Sequence, residues 1–330
     1  MLGAAAFAEL ATTLRASRGI AAKRDIAAVA GRLGLSGGDA VPVGDDCAAI
    51  PNGDGFLLLA IEGFMNEFVA GDPWFAGWCG VMVNVSDVAA MGGRPLAVVD
   101  AVWAAGDDGA APVLTGLRAA SEAYGVPVVG GHTNTRTDRG QLSVAILGRA
   151  QRLLTSFDAK PHDRLVAAID LRGRYREPFA NWEAATGTTP ARLRGDIELL
   201  PAIAEAGLSI AAKDISQGGI VGTTMMLAEC SRVGAVIDVT RVPKPEGAPI
   251  ERWLQTFPSY GYLLSVSPTN VPAVLARFGE RGIAAADVGQ VTADRRVVVT
   301  DGSTTETIWD FAREPLIGCV PAEFLARGCA

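Results

Sequence analysis

The sequence is poor in the side chains on which many metalloproteins and nucleic-acid-binding proteins depend. It has two histidines in 330 residues, and its five cysteines show neither CxxC pairing nor another metal-binding spacing. Only four of its 29 basic residues are lysines, and the formal net charge is −7. Binding along a phosphodiester backbone needs a positive stripe, and none is visible in this sequence. We therefore expect neither a nucleic-acid partner nor a cysteine-based metal site.

Long apolar runs are missing as well. No stretch approaches the roughly 20 residues of a membrane helix. The alanine-rich start, Met1 to Leu10, has no basic leader and is interrupted by Glu9. The cysteines stand mostly among apolar neighbours, as buried thiols do in a reducing compartment. The sequence thus predicts a cytoplasmic protein with no membrane partner.

Alternating strand and helix patterns predict an α/β protein of two domains, residues 1–152 and 153–330. Glycines and prolines mark the ends of several of these elements. The predicted helices include Trp74–Met91, which stops at Gly92-Gly93, as well as Pro112–Tyr124 and Ile197–Ala206. The predicted strands include Val41–Ile50 and Val126–Val129, the second of which runs into a Gly-Gly turn. A hairpin is predicted around Asp301-Gly302.

Two adjacent carboxylates form the first candidate site, in the run Val43-Gly44-Asp45-Asp46-Cys47. Neighbouring aspartates repel each other, so a partner charge must offset them in the folded chain. Mg²⁺ is such a partner because it prefers carboxylate and phosphate oxygens. A solvated glycine turn is the alternative interpretation.

A second candidate lies in the predicted helix, where Asn84 and Asp87 are one turn apart in an otherwise apolar run. Polar groups buried there must be paired, because an unpaired one costs several kcal/mol, roughly 2–7. A purely structural hydrogen bond between helices would satisfy the same requirement.

Two further segments combine glycines with a polar residue. Gly130-Gly131-His132-Thr133 follows a strand, and two glycines let backbone N–H groups approach phosphate oxygens. Asp214 opens a glycine turn before a helix, where it could bind metal or cap the helix. A structural role is the alternative for His132, and no chemistry is assigned to His162.

In this order, the four motifs resemble the AIR synthetase superfamily, which includes thiamine-monophosphate kinase and selenophosphate synthetase. The motifs are Gly-Asp-Asp-x-Ala-Ala, Asn-x-Ser-Asp-x-x-Ala-Met-Gly-Gly-x-Pro, Gly-Gly-His-Thr and Asp-Ile-Ser-x-Gly-Gly, and they cover some 170 residues of the chain. The resemblance implies a two-domain PurM-like fold. Its N-terminal domains pair into a homodimer through a β-barrel, and its C-terminal domain is α/β.

The resemblance also implies a use for most of the candidate residues. Mg²⁺ ions on ATP would be held by Asp45, Asp46, Glu62, Asp87 and Asp214, with Asp46 and Asp87 as catalytic residues. His132 is a further catalytic candidate because it is one of only two histidines and stands in the Gly-Gly motif. ATP would be contacted by Asn84, Gly130, Gly131 and Thr133. Lys23 is a further candidate for binding phosphate, because it precedes the first motif and is one of only four lysines. The implied activity is Mg²⁺·ATP-dependent phosphoryl transfer to a small-molecule acceptor.

Departures from the family pattern leave the acceptor open. Arg15–Asp25 has no cysteine, where selenophosphate synthetases carry a reactive one. His132 and Gln217 stand where thiamine-monophosphate kinases usually have carboxylates, and Cys329 is penultimate where a carbamoyl dehydratase ends in cysteine. Two alternatives therefore remain: a catalytically silent ATP-binding subunit that serves a partner enzyme, and a metal phosphoesterase.

Overall fold

A computed structural model describes residues 3–33 and 41–318 of the chain. Within these ranges the helices are α1 (Ala4–Arg15), α2 (Arg18–Lys23), α3 (Asp25–Leu33), α4 (Asn66–Gly71), α5 (Pro73–Ala90), α6 (Gly106–Tyr124), α7 (Pro190–Ile197), α8 (Leu199–Glu205), α9 (Gly219–Ser231), α10 (Ile250–Trp253) and α11 (Val271–Glu280). The strands are β1 (Ala48–Asn52), β2 (Gly55–Gly63), β3 (Arg94–Ala105), β4 (Val128–Asn134), β5 (Arg136–Ala150), β6 (Arg164–Ile169), β7 (Arg174–Tyr175), β8 (Asn181–Glu183), β9 (Ala211–Asp214), β10 (Gly234–Asp238), β11 (Phe257–Pro258), β12 (Gly261–Val266), β13 (Ala284–Thr292), β14 (Arg296–Thr300) and β15 (Thr305–Asp310).

The chain forms two compact units that are not continuous in sequence. Unit 1 comprises residues 1–45, 154–186 and 206–330, and unit 2 comprises residues 46–153 and 187–205. The sequence-based division between residues 152 and 153 stays a prediction. The two units differ from it because the N-terminal helices group with unit 1 and α7 and α8 group with unit 2.

Unit 2 is built on a five-stranded sheet in the order β1-β2-β5-β3-β4. Helix α5 is buried along almost its whole length and packs against the sheet and against α6. The helices can come close because of two glycines. A Cβ added to Gly77 of α5 would lie 2.0 Å from the carbonyl oxygen of Val113, and one added to Gly116 of α6 would lie 1.9 Å from that of Trp74. The backbones of α5 and α6 are therefore in direct contact.

Unit 1 contains a seven-stranded sheet, in the order β15-β14-β10-β13-β6-β12-β9, and a small sheet of β11, β8 and β7. Strands β6 and β12 are buried nearly throughout, as their continuous apolar runs require. Helix α1 packs against β15 and contributes Phe7, Leu10 and Leu14 to the core.

Several predicted elements are confirmed because their signals are local. The predicted helix over Trp74–Met91 is α5, which ends at Ala90 and is followed by Gly92, whose φ of +74° suits the residue after a helix C-cap. The predicted hairpin around Asp301-Gly302 is the antiparallel pair of β14 and β15.

Other predicted bounds are wrong. The first predicted strand begins only at Ala48, so that Asp45 and Asp46 lie in the bend before it. Helix α6 begins at Gly106 and includes Pro112 in its interior. The predicted helix over Ile197–Ala206 is in fact two helices, α7 and α8, of which α7 already starts at Pro190.

The predicted barrel would form between two chains, so it stays a prediction. The sheet of unit 2 is open, with β1 and β4 at its edges, and these strands have no further hydrogen-bonded strand within the described ranges. Among residues 3–33 and 41–318, no helix combines the length and the apolar character that crossing a membrane requires.

A buried glutamate anchors the end of the described chain in unit 1. The Glu229 side chain, 3% exposed on α9, accepts hydrogen bonds from the backbone N–H groups of Leu316, Ile317 and Gly318, at 2.9, 2.7 and 3.3 Å. Replacing it by alanine leaves these donors without their acceptor, so Glu229→Ala should lower the free energy of unfolding by about 3 kcal/mol. Chemical denaturation measures this loss.

Glu246→Ala is the control for this prediction, because Glu246 is exposed in the same unit and its replacement should change stability by less than about 0.5 kcal/mol. Equal stability of the Glu229→Ala protein and wild type would contradict the anchoring role.

Candidate metal and nucleotide site

Two of the predicted ligands converge in unit 2. Asp46 lies just before β1 and is half-buried, whereas Asp87 lies near the end of α5 and is 5% exposed. One carboxylate oxygen of Asp46 lies within 4.8 Å of one carboxylate oxygen of Asp87. Ligands on opposite sides of a Mg²⁺ ion are about 4.2 Å apart, because each Mg–O bond is about 2.1 Å long. The pair of hard oxygen donors therefore fits Mg²⁺ with a small side-chain adjustment.

Asn84, one turn before Asp87, is fully buried. Its Nδ2 donates to the carbonyl oxygens of Gly80, at 2.8 Å, and Val144, at 3.0 Å, which fixes α5 to β5. Within the described ranges its Oδ1 has no hydrogen-bond partner. An acceptor left unsatisfied in the interior costs about 1–3 kcal/mol, so the amide is structural on one side and available to a ligand on the other. Its contact with nucleotide remains a prediction.

Asp45 makes its contacts in unit 1. Gly44 has a φ of +123°, which glycine adopts readily, and the chain turns there so that the Asp45 side chain is fully buried. Its Oδ1 lies 3.8 Å from Nζ of Lys213 and accepts from Oγ of Ser156 at 2.5 Å. Consecutive aspartates therefore have different surroundings: Asp45 faces a lysine, and Asp46 faces another carboxylate.

Asp214 is the last residue of β9 in unit 1 and is 4% exposed. The sequence left open whether it caps the following helix. The N-cap residue of α9 is Gly218, and no side chain caps that end of the helix. Capping therefore does not account for Asp214, and its metal role stays a prediction.

Lys23, at the end of α2, lies in unit 1 and is half-buried. A Cβ added to Gly19, one turn earlier, would lie 2.0 Å from the carbonyl oxygen of Gln217, so α2 closely approaches the glycine turn after Asp214. This places Lys23 on a helix beside one of the predicted motifs.

The predicted Gly-Gly turn is wrong. Residues 128–134 form one exposed edge strand, β4, which contains Gly130, Gly131 and Thr133. His132 is exposed on this strand, and its ring centroid lies 5.9 Å from that of Trp103. The roles of these four residues toward nucleotide and acceptor stay predictions, now on a strand edge.

The structure gives a packing reason for glycine at position 131. A Cβ at this position would lie 2.2 Å from Oδ1 of Asp100, so glycine makes room for that carboxylate. Burial raises the pKa of the Asp100 carboxyl. Sequence reasoning missed Asp100, although a lone acidic residue in the apolar run Leu96–Trp103 was a signal for it.

Glu62 is half-buried on β2 and lies outside the group of converging carboxylates found among the described residues. It is in register with Val144 of β5, and so is Asp100 of β3. Residues in register point to the same face of a sheet, which places Glu62 and Asp100 about 10 Å apart on one face. Glu62 as a metal ligand stays a prediction.

A cleft of about 710 Å³ lies at the other end of α5 and is lined in part by Pro73, Trp103 and Asp108. Pro73 is 14 residues before Asp87 on the same helix, a distance of about 20 Å at 1.5 Å per residue. The cleft is thus separate from the two converging carboxylates. Cys329 lies outside the described residues.

Family models match two continuous segments of the chain. Residues 44–150 match the N-terminal domain of AIR synthase related proteins, and residues 179–302 match their C-terminal domain. An uncharacterized protein of Synechocystis sp. is 45% identical over 94% of this chain and 98% of its own length. Thiamine-monophosphate kinase of Halobacterium salinarum is 30% identical over 82% of this chain and 94% of its own.

Solved structures share the fold. AaThiL complexed with AMPPCP and TMP has a TM-score of 0.64 at 22% identity and covers 86% of this chain and 95% of its own. T. maritima PurL complexed with ATP has a TM-score of 0.68 at 22% identity over 83% of this chain. The chain spans about half the length of that PurL, 46%.

Proposed function

Because the chain belongs to the AIR synthase related family, we propose that it is an enzyme that uses Mg²⁺·ATP to phosphorylate or activate a small molecule, as a kinase or synthetase does. The observation that carries the proposal is the convergence of the Asp46 and Asp87 carboxylates within 4.8 Å. The relatives named thiamine-monophosphate kinase and the nucleotide complexes of AaThiL and PurL support the choice of ATP.

In this proposal, Asp46 and Asp87 hold Mg²⁺, and Asn84 keeps α5 in place against β5 through its amide nitrogen. ATP would supply the γ-phosphoryl group, and the bound Mg²⁺ would neutralise charge on the phosphates. His132 is the candidate to accept a proton from the acceptor, because its ring is exposed on β4. The chain has only one other histidine, which fits a reaction in which protein side chains form few covalent bonds with the substrate.

The test is ADP formation by the full chain with Mg²⁺ and ATP, measured in a coupled assay and confirmed by ³¹P NMR of the products. TMP and FGAR are the first acceptors to try, because solved relatives bind them. We expect ADP release that depends on an acceptor and stops with EDTA.

Two other results would each select an alternative. ATP binding by calorimetry without ADP formation across a broad acceptor panel would indicate a silent subunit, for which the replaced carboxylates at His132 and Gln217 are the motivation. Hydrolysis of p-nitrophenyl phosphate without nucleotide would indicate a metal phosphoesterase.

We also propose that the chain forms a homodimer through the open face of the unit 2 sheet. Leu59, Ile61, Val99 and Leu147 lie on this face and are exposed by 47, 69, 42 and 38%. Strand pairing joins them into rows, since Leu59 is in register with Leu147, and both Ile61 and Val99 are in register with Ala145. A contiguous apolar face of this kind favours a partner surface, and a second copy is the partner that the family resemblance implies.

A charge in the centre of this face should separate the copies. We expect wild type to show twice the 34.2 kDa chain mass in light scattering, and Ile61→Asp to show the monomer mass. Leu114→Asp is the control, because Leu114 is 39% exposed on α6. A monomeric wild type would contradict the dimer.

A further inference from the structure

We infer that Asp45 and Lys213 form an internal ion pair that positions Asp46 and balances charge beside it, and that Asp45 is not itself a metal ligand. The inference rests on the proposed function, because it assigns positioning residues to the same metal site. It also separates two consecutive aspartates that the sequence alone treats as equivalent.

The ion pair is buried, together with Ser156, and all three residues belong to unit 1. The side chain of Asp45 is 0% exposed and that of Lys213 is 5% exposed, with Nζ 3.8 Å from Oδ1. The two carboxylate oxygens of Asp45 are both engaged, since Oδ1 accepts from Oγ of Ser156 at 2.5 Å and Oδ2 accepts from its backbone N–H at 2.7 Å. Lys213 Nζ also lies 3.5 Å from Oγ of Ser156. A carboxylate held in this way has little freedom to turn toward a cation.

Ser156 is itself held by the end of α9. The Oγ of Ser231 donates to the carbonyl oxygen of Ser156 at 2.7 Å and accepts from the backbone N–H of Ala159 at 2.9 Å. Lys213 lies within β9, where it is in register with Leu263 of β12. The ion pair therefore ties the bend before β1 to a sheet strand and to a helix end.

Two consequences for the metal follow from the chain connectivity. Asp46 shares a peptide bond with the anchored Asp45, so the pair fixes the backbone from which the ligand side chain extends. Lys213 neutralises one of the two adjacent carboxylates, so repulsion between Asp45 and Asp46 is offset before any cation binds. Removing only Asp45 would take an acidic partner away from the buried ammonium group of Lys213.

The experiment compares Mn²⁺ binding by the full-length wild type, Asp45→Asn, Lys213→Met and the double variant, using the electron paramagnetic resonance signal of free Mn²⁺. Asparagine can still accept from Ser156, so the Asp45→Asn fold should be retained. We expect its Kd for Mn²⁺ to rise about 10-fold, and the double variant to return to within about 3-fold of wild type, because the two opposite charges of the pair are then removed together.

Asp287→Asn is the matched control, because it breaks the 2.9 Å pair with Arg164 between β13 and β6 of the same unit. Its Mn²⁺ affinity should equal that of wild type. Thermal unfolding of each variant without metal reports stability separately from binding.

Three results would overturn the inference. If Asp45 is a direct ligand, the double variant binds Mn²⁺ as weakly as Asp45→Asn does. If the pair is merely structural, Tm changes while every Kd stays at the wild-type value. An absence of Mn²⁺ binding by wild type overturns the proposed function and this inference together, whereas the first two results overturn the inference alone.

Discussion

Asp87→Asn is expected to lower ATP turnover by at least about 100-fold, because a neutral amide oxygen replaces a charged oxygen that neutralises Mg²⁺. Asp87 is buried on α5. Asp46→Asn should have an effect of the same size, since its carboxylate oxygen lies within 4.8 Å of that of Asp87. Steady-state ADP formation over a range of Mg²⁺ concentrations measures both losses.

Residues that act as one unit have non-additive effects, so the double variant should be about as inactive as either single variant. Asp54→Asn is the control, because Asp54 is exposed in the turn between β1 and β2 of the same unit. Its turnover should equal that of wild type. Wild-type turnover by both Asp46→Asn and Asp87→Asn would remove the basis for the proposed function.

The second large effect is expected on stability. Gly77→Ala places a methyl group where only 2.0 Å separates it from a carbonyl oxygen of α6, and the helices can relieve that clash only by moving apart. Overpacking a well-packed core costs roughly 1–3 kcal/mol. We expect a loss near the upper end, about 3 kcal/mol, because the obstacle is backbone. Gly116→Ala should cost a similar amount, with 1.9 Å to the carbonyl oxygen of Trp74.

Two other glycines calibrate this prediction. A methyl group at Gly80 meets the side chains of Val144 and Leu117 at 2.8 and 3.0 Å, and side chains can shift, so Gly80→Ala should cost less, about 1 kcal/mol. At Gly109 of α6 the nearest atom is 3.7 Å away, so Gly109→Ala should be neutral or slightly stabilising. Urea denaturation ranks the four variants by their free energy of unfolding. Equal stability of Gly77→Ala and Gly109→Ala would show that the helices do not constrain each other.

The sequence predicted α5 well because the relevant signals lie within the segment itself. Apolar residues recur at helical spacing between residues 74 and 91, and the glycines that stop the helix follow directly. The placement of Asn84 and Asp87 one turn apart on this buried helix was predictable for the same reason. The start of α6 was not, because Pro112 is typical of a first helical turn but here lies within the helix.

The two consecutive aspartates show where sequence reasoning ends. Composition and spacing indicate that both carboxylates need a partner, and Mg²⁺ is one answer for both. The side chains that distinguish them, Ser156 and Lys213, are distant in sequence, and Ser156 is 111 residues from Asp45. No local pattern predicts that contact.

Glycines are ambiguous for a related reason. Gly130-Gly131 suggests a turn when only the segment is considered, yet the chain stays extended through Asn134. Gly131 is required because the Asp100 carboxylate lies against it. A glycine can therefore mark close packing by a neighbouring strand as well as a turn, and the neighbour is unknown before the sheet is assembled.

The packing of α1 against β15 determines the order in which the protein can fold during translation. Unit 2 needs residues 46–153 and 187–205, so its chain is complete once residue 205 has been made, about 100 residues before β15. Phe7, Leu10 and Leu14 leave the ribosome about 290 residues before the strand that α1 packs against, which lies at residues 305–310. Helix α1 must therefore remain without this partner until β15 has been made, so unit 2 can fold before unit 1 is complete.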